Sequence, residues 1–392
     1  MRVWMVCLLF GLALGTLLVA CGASDSMSDQ QGALNRGAPA ATPDPYKTRY
    51  EAYPYAPAED QRIIDLGTVV NSMQTTYLTE CLMHDQILAG QLAASGWSLQ
   101  DHAYRNGAET VPYQDGRLDA VVMGDSAAIA ASKTADFYLY STISTGHISV
   151  LANQKLLPAQ LKGKRVGYSA GTVTHFTVYR ALVLGGLAMS DVTSIEVQAP
   201  QAQAALEKNQ VDVVSVYEPF TSTILHQLPQ SAIVSRNNIF TFFCLDRRFA
   251  DQNPGLVDYL LAAVVRAAVW ARSSEANTRT CLVWIRQEQE RFVGSSVLGP
   301  QEPWISQLRR ETVDTPSYPM LPKDLAEPGN LQLQQFEFMK LQGIIAKDAD
   351  WTSYMARFKP ELLSRIILQP DIYQTNRFDY GARQVRPDLA TR

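Results

Sequence analysis

Two stretches of this chain echo each other and constrain what it can fold into. Leu118-Asp-Ala-Val-Val-Met-Gly-Asp-Ser126 and Val211-Asp-Val-Val-Ser-Val-Tyr-Glu-Pro219 each open with an apolar residue and an Asp. Each continues as a short apolar run, and each places an acid, Asp125 or Glu218, just before a helical pattern. A short apolar run of this kind is the pattern of a strand buried on both faces of a parallel sheet. The surrounding sequence agrees. Strands are expected over 62–70, 97–104, 119–123, 137–142 and 148–152, with a helix over 75–95. The pattern then restarts, with strands over 164–168, 194–198 and 211–217 and helices over 172–184 and 201–208. Such alternation implies α/β architecture. Beyond residue 254 the pattern is helical, over 256–272, 275–291, 331–346 and 360–367.

The N-terminus is a processing signal. Arg2 supplies a positive charge, residues 3–20 carry none, and Leu18-Val19-Ala20 places small residues before Cys21. A charged start, an apolar run and a small-residue cleavage site mark a secretory signal. A Cys in that place resembles the bacterial lipoprotein box. The resemblance implies that residues 1–20 are a signal peptide and that Cys21 is lipidated. An uncleaved anchor is the alternative, since the run is near the lower length for spanning. Residues 21–60 are rich in Ala, Ser, Gly, Pro, Asp and Gln without an apolar period, the composition of a flexible tether.

The remainder is long enough for two ordinary domains. The whole chain's net charge of −4 comes without a basic tract, which argues against nucleic acid as a partner. The most apolar later stretch, 256–271, contains Asp258 and Arg266 and is short for a bilayer span. Once Cys7 leaves with the signal and Cys21 is lipidated, Cys81, Cys244 and Cys281 remain. Three thiols allow at most one disulfide.

The sharpest candidate site is Ser169-Ala-Gly-Thr-Val-Thr-His175, which follows a strand and opens a helix. Gly171 permits a tight turn, and Ser169, Thr172 and Thr174 offer hydroxyls beside a helix N-terminus that favours anions. Plain helix capping is the alternative. Asp125 and Glu218 either cap helices or accept hydrogen bonds from an amine or hydroxyl of a solute. Gly124, Ser126, Tyr168, Tyr217 and Asn71 fall at strand ends, where ligands of open α/β sheets bind. Cys81 and His84 share a helix face, but no second pair with ligand spacing appears, so no metal is expected. No P-loop, G-x-G-x-x-G or G-x-S-x-G occurs.

In this order the motifs resemble ABC-transporter solute-binding proteins of the nitrate/sulfonate/taurine type. The stretches that carry the resemblance are Asp115-Gly-Arg-Leu-Asp-Ala-Val-Val-Met-Gly124, Leu161-Lys-Gly-Lys-Arg-Val-Gly167, Ser169 to His175, Val211 to Pro219 and Arg248-Phe-Ala-Asp-Gln-Asn-Pro254. The resemblance implies a two-lobed, periplasmic-binding-protein-like α/β fold, each lobe a mixed sheet flanked by helices, with C-terminal helices. Residues 61–155 and 241–392 would form one lobe and 161–238 the other. The implied function is an extracytoplasmic lipoprotein of an ABC importer, held at the outer face of the cytoplasmic membrane or in the periplasm. It would capture a small polar solute, a sulfonate, nitrate-like ion or amine-bearing molecule. The expected ligand residues are Asn71, Gly124, Asp125, Ser126, Ser169, Gly171, Thr172, Thr174, Tyr217 and Glu218. The expected partners are a permease with its ATPase and the membrane through the lipid; the protein would be a monomer without cofactor or catalysis. Val70-Asn-Ser-Met-Gln-Thr-Thr76 departs from the family's pattern, so the resemblance does not carry ligand identity. An exported enzyme with Cys81 or Cys244 as nucleophile, or a ligand sensor without a transporter, stands as the alternative.

Overall fold

Eight strands join in one sheet whose middle is a long two-stranded ribbon. The computed structural model describes residues 62–110, 117–296, 298, 301–312 and 330–384. The segments expected as signal peptide and tether, Cys21 included, lie outside the described residues. The strands are β1 (Ile63–Val69), β2 (Ser98–Tyr104), β3 (Ala120–Gly124), β4 (Phe137–Ala152), β5 (Arg165–Tyr168), β6 (Thr193–Glu196), β7 (Val213–Tyr217) and β8 (Ala232–Asp246). Their order is β2-β1-β3-β8-β4-β7-β5-β6.

Two parallel groups flank the ribbon. β1 runs parallel to β2 and β3, and β5 runs parallel to β6 and β7. Between them β4 and β8 pair antiparallel from Phe137 opposite Asp246 to Ala152 opposite Ala232. β3 lies against one end of the ribbon, its Gly124 opposite Thr241. β7 lies against the other end, its Tyr217 opposite Ile148. Both parallel groups therefore aim their carboxyl ends at the ribbon's middle, which creates the crevice where such sheets bind ligands.

The ribbon is also where the sequence misled. Two strands over 137–142 and 148–152 were expected; they are one, because the polar link between them stays paired to β8. Register shifts at Leu139/Ser141, Thr142/Ser144 and Val150/Leu151 absorb its bends. β8 was not expected from the sequence: its first half breaks from Ala232-Ile-Val234 into Ser235-Arg-Asn-Asn238, where the polar Ser235 and Asn237 are the buried positions. Gly146, mid-ribbon, lies so close to the side chains of Gln74 and Glu311 that a Cβ there would collide with both.

The helix expected over 75–95 is two helices, Met73–His84 and Gln86–Ala94. Asp85 breaks them. Its backbone is extended, its Oδ1 accepts from Leu88 N–H at 3.0 Å to cap the second helix, and its Oδ2 accepts from Arg266 Nε at 2.8 Å. Arg266 belongs to the Pro254–Ser273 helix, twenty residues long and by length and composition able to span a membrane. Here it is a core helix. It packs with Ile64, Leu66, Tyr77, Leu78 and Ile285 in the largest apolar cluster, where each buried Leu, Val or Ile is worth about 1.5–3 kcal/mol. The Glu275–Val293 helix joins the same cluster. The Leu331–Leu341 helix, shorter than the expected 331–346, covers the other face of β3 and β8 through Phe336, Phe338 and Met339. Smaller clusters line the β5–β7 group. The described residues all fall in one compact unit.

Candidate ligand-binding cavity

The carboxyl ends of both parallel groups open on one cavity of about 810 Å³ that communicates with solvent. Val69 ends β1, Gly124 ends β3 and Tyr217 ends β7; Asn106, Ser169 and Gln198 follow β2, β5 and β6; Ile239 and Thr241 come from the ribbon. Asn106 Nδ2 donates to Gln198 Oε1 at 3.4 Å, joining the two sides.

Two twelve-residue helices begin at this cavity. Met73–His84 starts after Ser72, and Val173–Leu184 starts after Thr172, whose hydroxyl accepts from Thr174 N–H at 3.2 Å. The backbone N–H groups of Gln74, Thr75 and Val173 find no acceptor among the described residues, and all three residues line the cavity. Unpaired N–H groups and aligned peptide dipoles make such ends partly positive. Ser72 Oγ donates to Gln74 Oε1 at 2.8 Å, while Gln74 Nε2 donates to the buried Glu311 carboxyl. Burial, followed by the nearby Glu218 carboxylate, pushes Glu311 well above the usual carboxylate range.

The Ser169–His175 loop is more self-contained than its sequence suggested. Ser169 N–H donates to Thr174 Oγ1 at 3.1 Å, Ala170 N–H to Glu196 Oε2 at 2.9 Å, and Gly171 N–H to His175 Nδ1 at 3.3 Å. The hydroxyls of Thr172 and Thr174 meet at 2.8 Å. Thr174 is buried and frames the loop, so most of the loop's donors are used internally. Gly171 sits at φ +74°, the left-handed region that a side chain would strain. His175 stacks on Tyr168 at 4.6 Å, and burial pushes its imidazole down to about 4, so it is the neutral ring that accepts from Gly171.

On the opposite wall, Asp125 and Ser126 open the Asp125–Ala131 helix. The Asp125 carboxylate accepts from Ser126 N–H at 2.7 Å, Gln335 Nε2 at 3.2 Å and Phe240 N–H at 3.3 Å. Burial nonetheless raises it to about 6. The Gln335 amide also donates to Ser126 Oγ, leaving the Ser126 proton free to point elsewhere. Asp125 is the one acid among the described lining residues, and no Lys, Arg or His is among them.

Of the residues singled out in the sequence, Gly124, Asp125, Ser126, Ser169, Gly171, Thr172, Thr174 and Tyr217 line this cavity. Asn71, Tyr168 and Glu218 do not. Asn71 Nδ2 donates to Arg105 O at 3.4 Å. Glu218 accepts from Ser222 N–H at 3.0 Å and caps the Phe220–Gln227 helix; burial raises its carboxyl. Sequence reasoning missed Ser72, Gln74, Thr75, Asn106, Gln198 and Thr241. The first three had a usable signal, a Ser at the helix entrance within the divergent stretch 70–76. Asn106, Gln198 and Thr241 had none beyond position after or within strands.

The other clusters are structural. His84 stacks on Trp284 at 3.8 Å and holds Gly381 O through Nδ1, while Cys81 faces Cys281, so Cys81 and His84 do not converge on an ion. The buried trio Glu80, Asp101 and Glu288 has ligand-like spacing but faces Arg383 and Arg291. Cys81, Cys244 and Cys281 are buried and none lines the cavity; burial pushes Cys81 and Cys244 well above the usual thiol range. That is the opposite of an activated nucleophile.

A family model described as the NMT1-like family matches residues 90–285. The chain belongs to the NMT1-like family. A curated relative of this NMT1-like chain is a candidate aliphatic sulfonates-binding protein of Escherichia coli (strain K12), 27% identical over 118 residues. The match covers 29% of this chain and 37% of the relative's length. Among solved structures, the periplasmic aliphatic sulphonate binding protein SsuA of Escherichia coli is 18% identical with a TM-score of 0.60, covering 75% of this chain and 97% of that one. The alkanesulfonate-binding protein SsuA of Xanthomonas axonopodis pv. citri bound to MOPS is 16% identical with a TM-score of 0.57, covering 77% and 100%. At such identities the structural likeness establishes the fold: the NMT1-like chain has the SsuA-like binding-protein architecture.

Proposed function

We propose that this chain is the extracytoplasmic solute-binding protein of an ABC importer and that its solute is an organic sulfonate. The observation that carries the reading is the cavity's lining. Two helix ends with unpaired N–H groups open on it beside Ser126 and Thr241, with no basic side chain among the described lining residues. Uncharged donors and helix dipoles suit an anion that stays ionised at every pH and needs no proton-matching partner. Val69, Ala127, Ala130, Val173, Ile239 and Tyr217 supply apolar wall for an organic tail. A bare nitrate ion has no apolar part to set against that wall. The sulfonate names and the MOPS complex of the relatives point the same way.

In this reading the two parallel groups act as lobes, 61–155 with 241–392 and 161–238, and close on the solute by bending at the β4–β8 ribbon, with Asn106 and Gln198 meeting as they shut. Cys21 carries the lipid that holds the protein beside its permease and ATPase. Calorimetric titration of the full chain with MOPS, butanesulfonate, taurine and nitrate tests the assignment. MOPS or butanesulfonate should bind at least about tenfold more tightly than nitrate, a difference of about 1.4 kcal/mol. Nitrate binding at equal strength, or no sulfonate binding, would refute it.

A further inference from the structure

The thiols of Cys81 and Cys281 meet in the core at 3.7 Å, two hundred residues apart in the chain. Cys81 lies on the Met73–His84 helix and Cys281 on the Glu275–Val293 helix, which pack side by side in the largest apolar cluster. Both side chains are fully buried. Cys244 lies on β8 in a different cluster and has no such neighbour among the described residues. A disulfide needs sulfurs about 2.05 Å apart, a closing of roughly 1.7 Å that side-chain rotation and a small helix shift can supply.

We propose that Cys81 and Cys281 are a structural disulfide site, joined when the chain folds in an oxidising compartment; the compartment, though not the pairing, rests on the export reading above. The oxidant is a small or protein disulfide, RS–SR. One cysteine thiolate attacks RS–SR, forming a mixed disulfide and releasing RS⁻. The second thiolate attacks the cysteine sulfur of that mixed bond, closing the Cys81–Cys281 bond and releasing the second RS⁻. The two protons from the cysteines end on the two RSH; the cysteines are oxidised and RS–SR is reduced. Both thiols are fully buried in the folded protein, out of reach of RS–SR, so the bond forms before the two helices close and the folded dithiol oxidises slowly. The bond has a consequence for the cavity: it ties the helix that presents Gln74 and Thr75 to a helix whose Gln289 already donates to Val70 O at 3.2 Å.

The test is a peptide map. Trypsin releases Cys81 within 63–105 and Cys281 within 280–286. The full chain, exported through its own signal in a bacterial host, is alkylated under denaturing conditions without reductant and digested. A parallel sample is refolded from guanidine in a mixture of oxidised and reduced glutathione. The cross-linked pair 63–105 with 280–286, lost on reduction, is expected as the main product of both. Reduction should lower the melting temperature by at least about 5 °C, because the bridge closes a very long loop, and should leave a Cys81→Ala/Cys281→Ala variant unmoved. Free or glutathionylated Cys81 and Cys281 in the refolded chain would overturn the pairing. A bridge in the refolded chain with free thiols in the exported one would uphold the pairing and count against the export reading.

Discussion

The side-chain amide of Gln335 donates to the carboxylate of Asp125 at 3.2 Å, across 210 residues of sequence. Through this contact the C-terminal Leu331–Leu341 helix reaches the wall of the cavity, because the same amide donates to the Ser126 hydroxyl. The helix thus holds two lining residues that lie on the far side of the chain's order.

Gln335→Leu should therefore act at a distance. Asp125 would lose a donor while remaining buried, and a buried acceptor left short costs about 1–3 kcal/mol. Denaturant unfolding should show that loss. If Gln335 also orients Ser126, affinity for MOPS should fall several-fold beyond the change seen at a site of equal stability cost away from the cavity. Unchanged affinity would confine Gln335 to packing.

Asp125 gives the cavity a pH dependence. Its carboxyl sits at about 6 in the folded chain against an ordinary value of 3.8, because burial penalises the charge. A group raised on folding contributes stability that is fully present below the ordinary value and is lost as pH rises through the folded one. Asp125→Asn should thus gain in melting temperature relative to the parent as pH rises from about 4 to 7.5. Acidification through pH 6 also removes the lining's one carboxylate charge, so the parent should bind butanesulfonate, which does not titrate in this range, more tightly at pH 5 than at pH 7.5, while Asp125→Asn binds with a flat profile. Titrations at the two pH values decide it.

The sequence was most legible where the physics is local. Short apolar runs ending in an acid placed β3 and β7 within two residues, and a Thr at a helix entrance placed the cap at Thr172. What it hid depends on partners far along the chain. β8 is a strand because β4 lies beside it, and the break at Asp85 exists because Arg266 waits across the core. Glu218 looked like a twin of Asp125, yet its carboxylate turns back to Ser222 and misses the cavity. An acid after a strand is compatible with either fate, and only the neighbouring helix decides which.

The Asp85–Arg266 pair should be costly to break on one side and cheap to replace on both. Neither side chain is exposed beyond 1%. Arg266→Ala leaves a buried carboxylate without its cation and should cost about 3–5 kcal/mol. Pairing Arg266→Met with Asp85→Asn keeps a side-chain cap for Leu88 N–H and removes both charges, so it should recover most of the loss. Guanidine midpoints for the three proteins measure this. A double variant no better than Arg266→Ala would mean that the Arg266 hydrogen bond to Tyr373 O, at 3.4 Å, carries the stability instead.

Arg383 anchors the last described segment over a buried trio of acids, and its loss should steepen the fall of stability toward alkali. Its guanidinium lies 3.0 Å from Glu80, 2.6 Å from Asp101 and 3.5 Å from Glu288, while Arg291 lies 2.6 Å from Glu288 and 3.5 Å from Asp101. Three acids face two cations. The balance is met by a proton: burial, then the neighbouring Asp101 and Glu80 charges, raises Glu288 to about 8. Burial works against Asp101 too, but Arg383 and Arg291 outweigh it and hold Asp101 below its ordinary value. Burial already raises Glu80 despite Arg383. Arg383→Ala removes the larger share of the support, so Asp101 should join Glu80 and Glu288 in the raised range. Raised carboxyls lose their stabilising contribution as pH climbs through their folded values. The melting temperature of Arg383→Ala should therefore trail the parent modestly at pH 5 and increasingly at pH 6.5 and pH 8. Adding Glu288→Gln, which deletes one of the three acids, should narrow the gap at pH 8 and change little at pH 5. Parallel curves for parent and Arg383→Ala across this range would show that Arg383 holds the segment by packing alone.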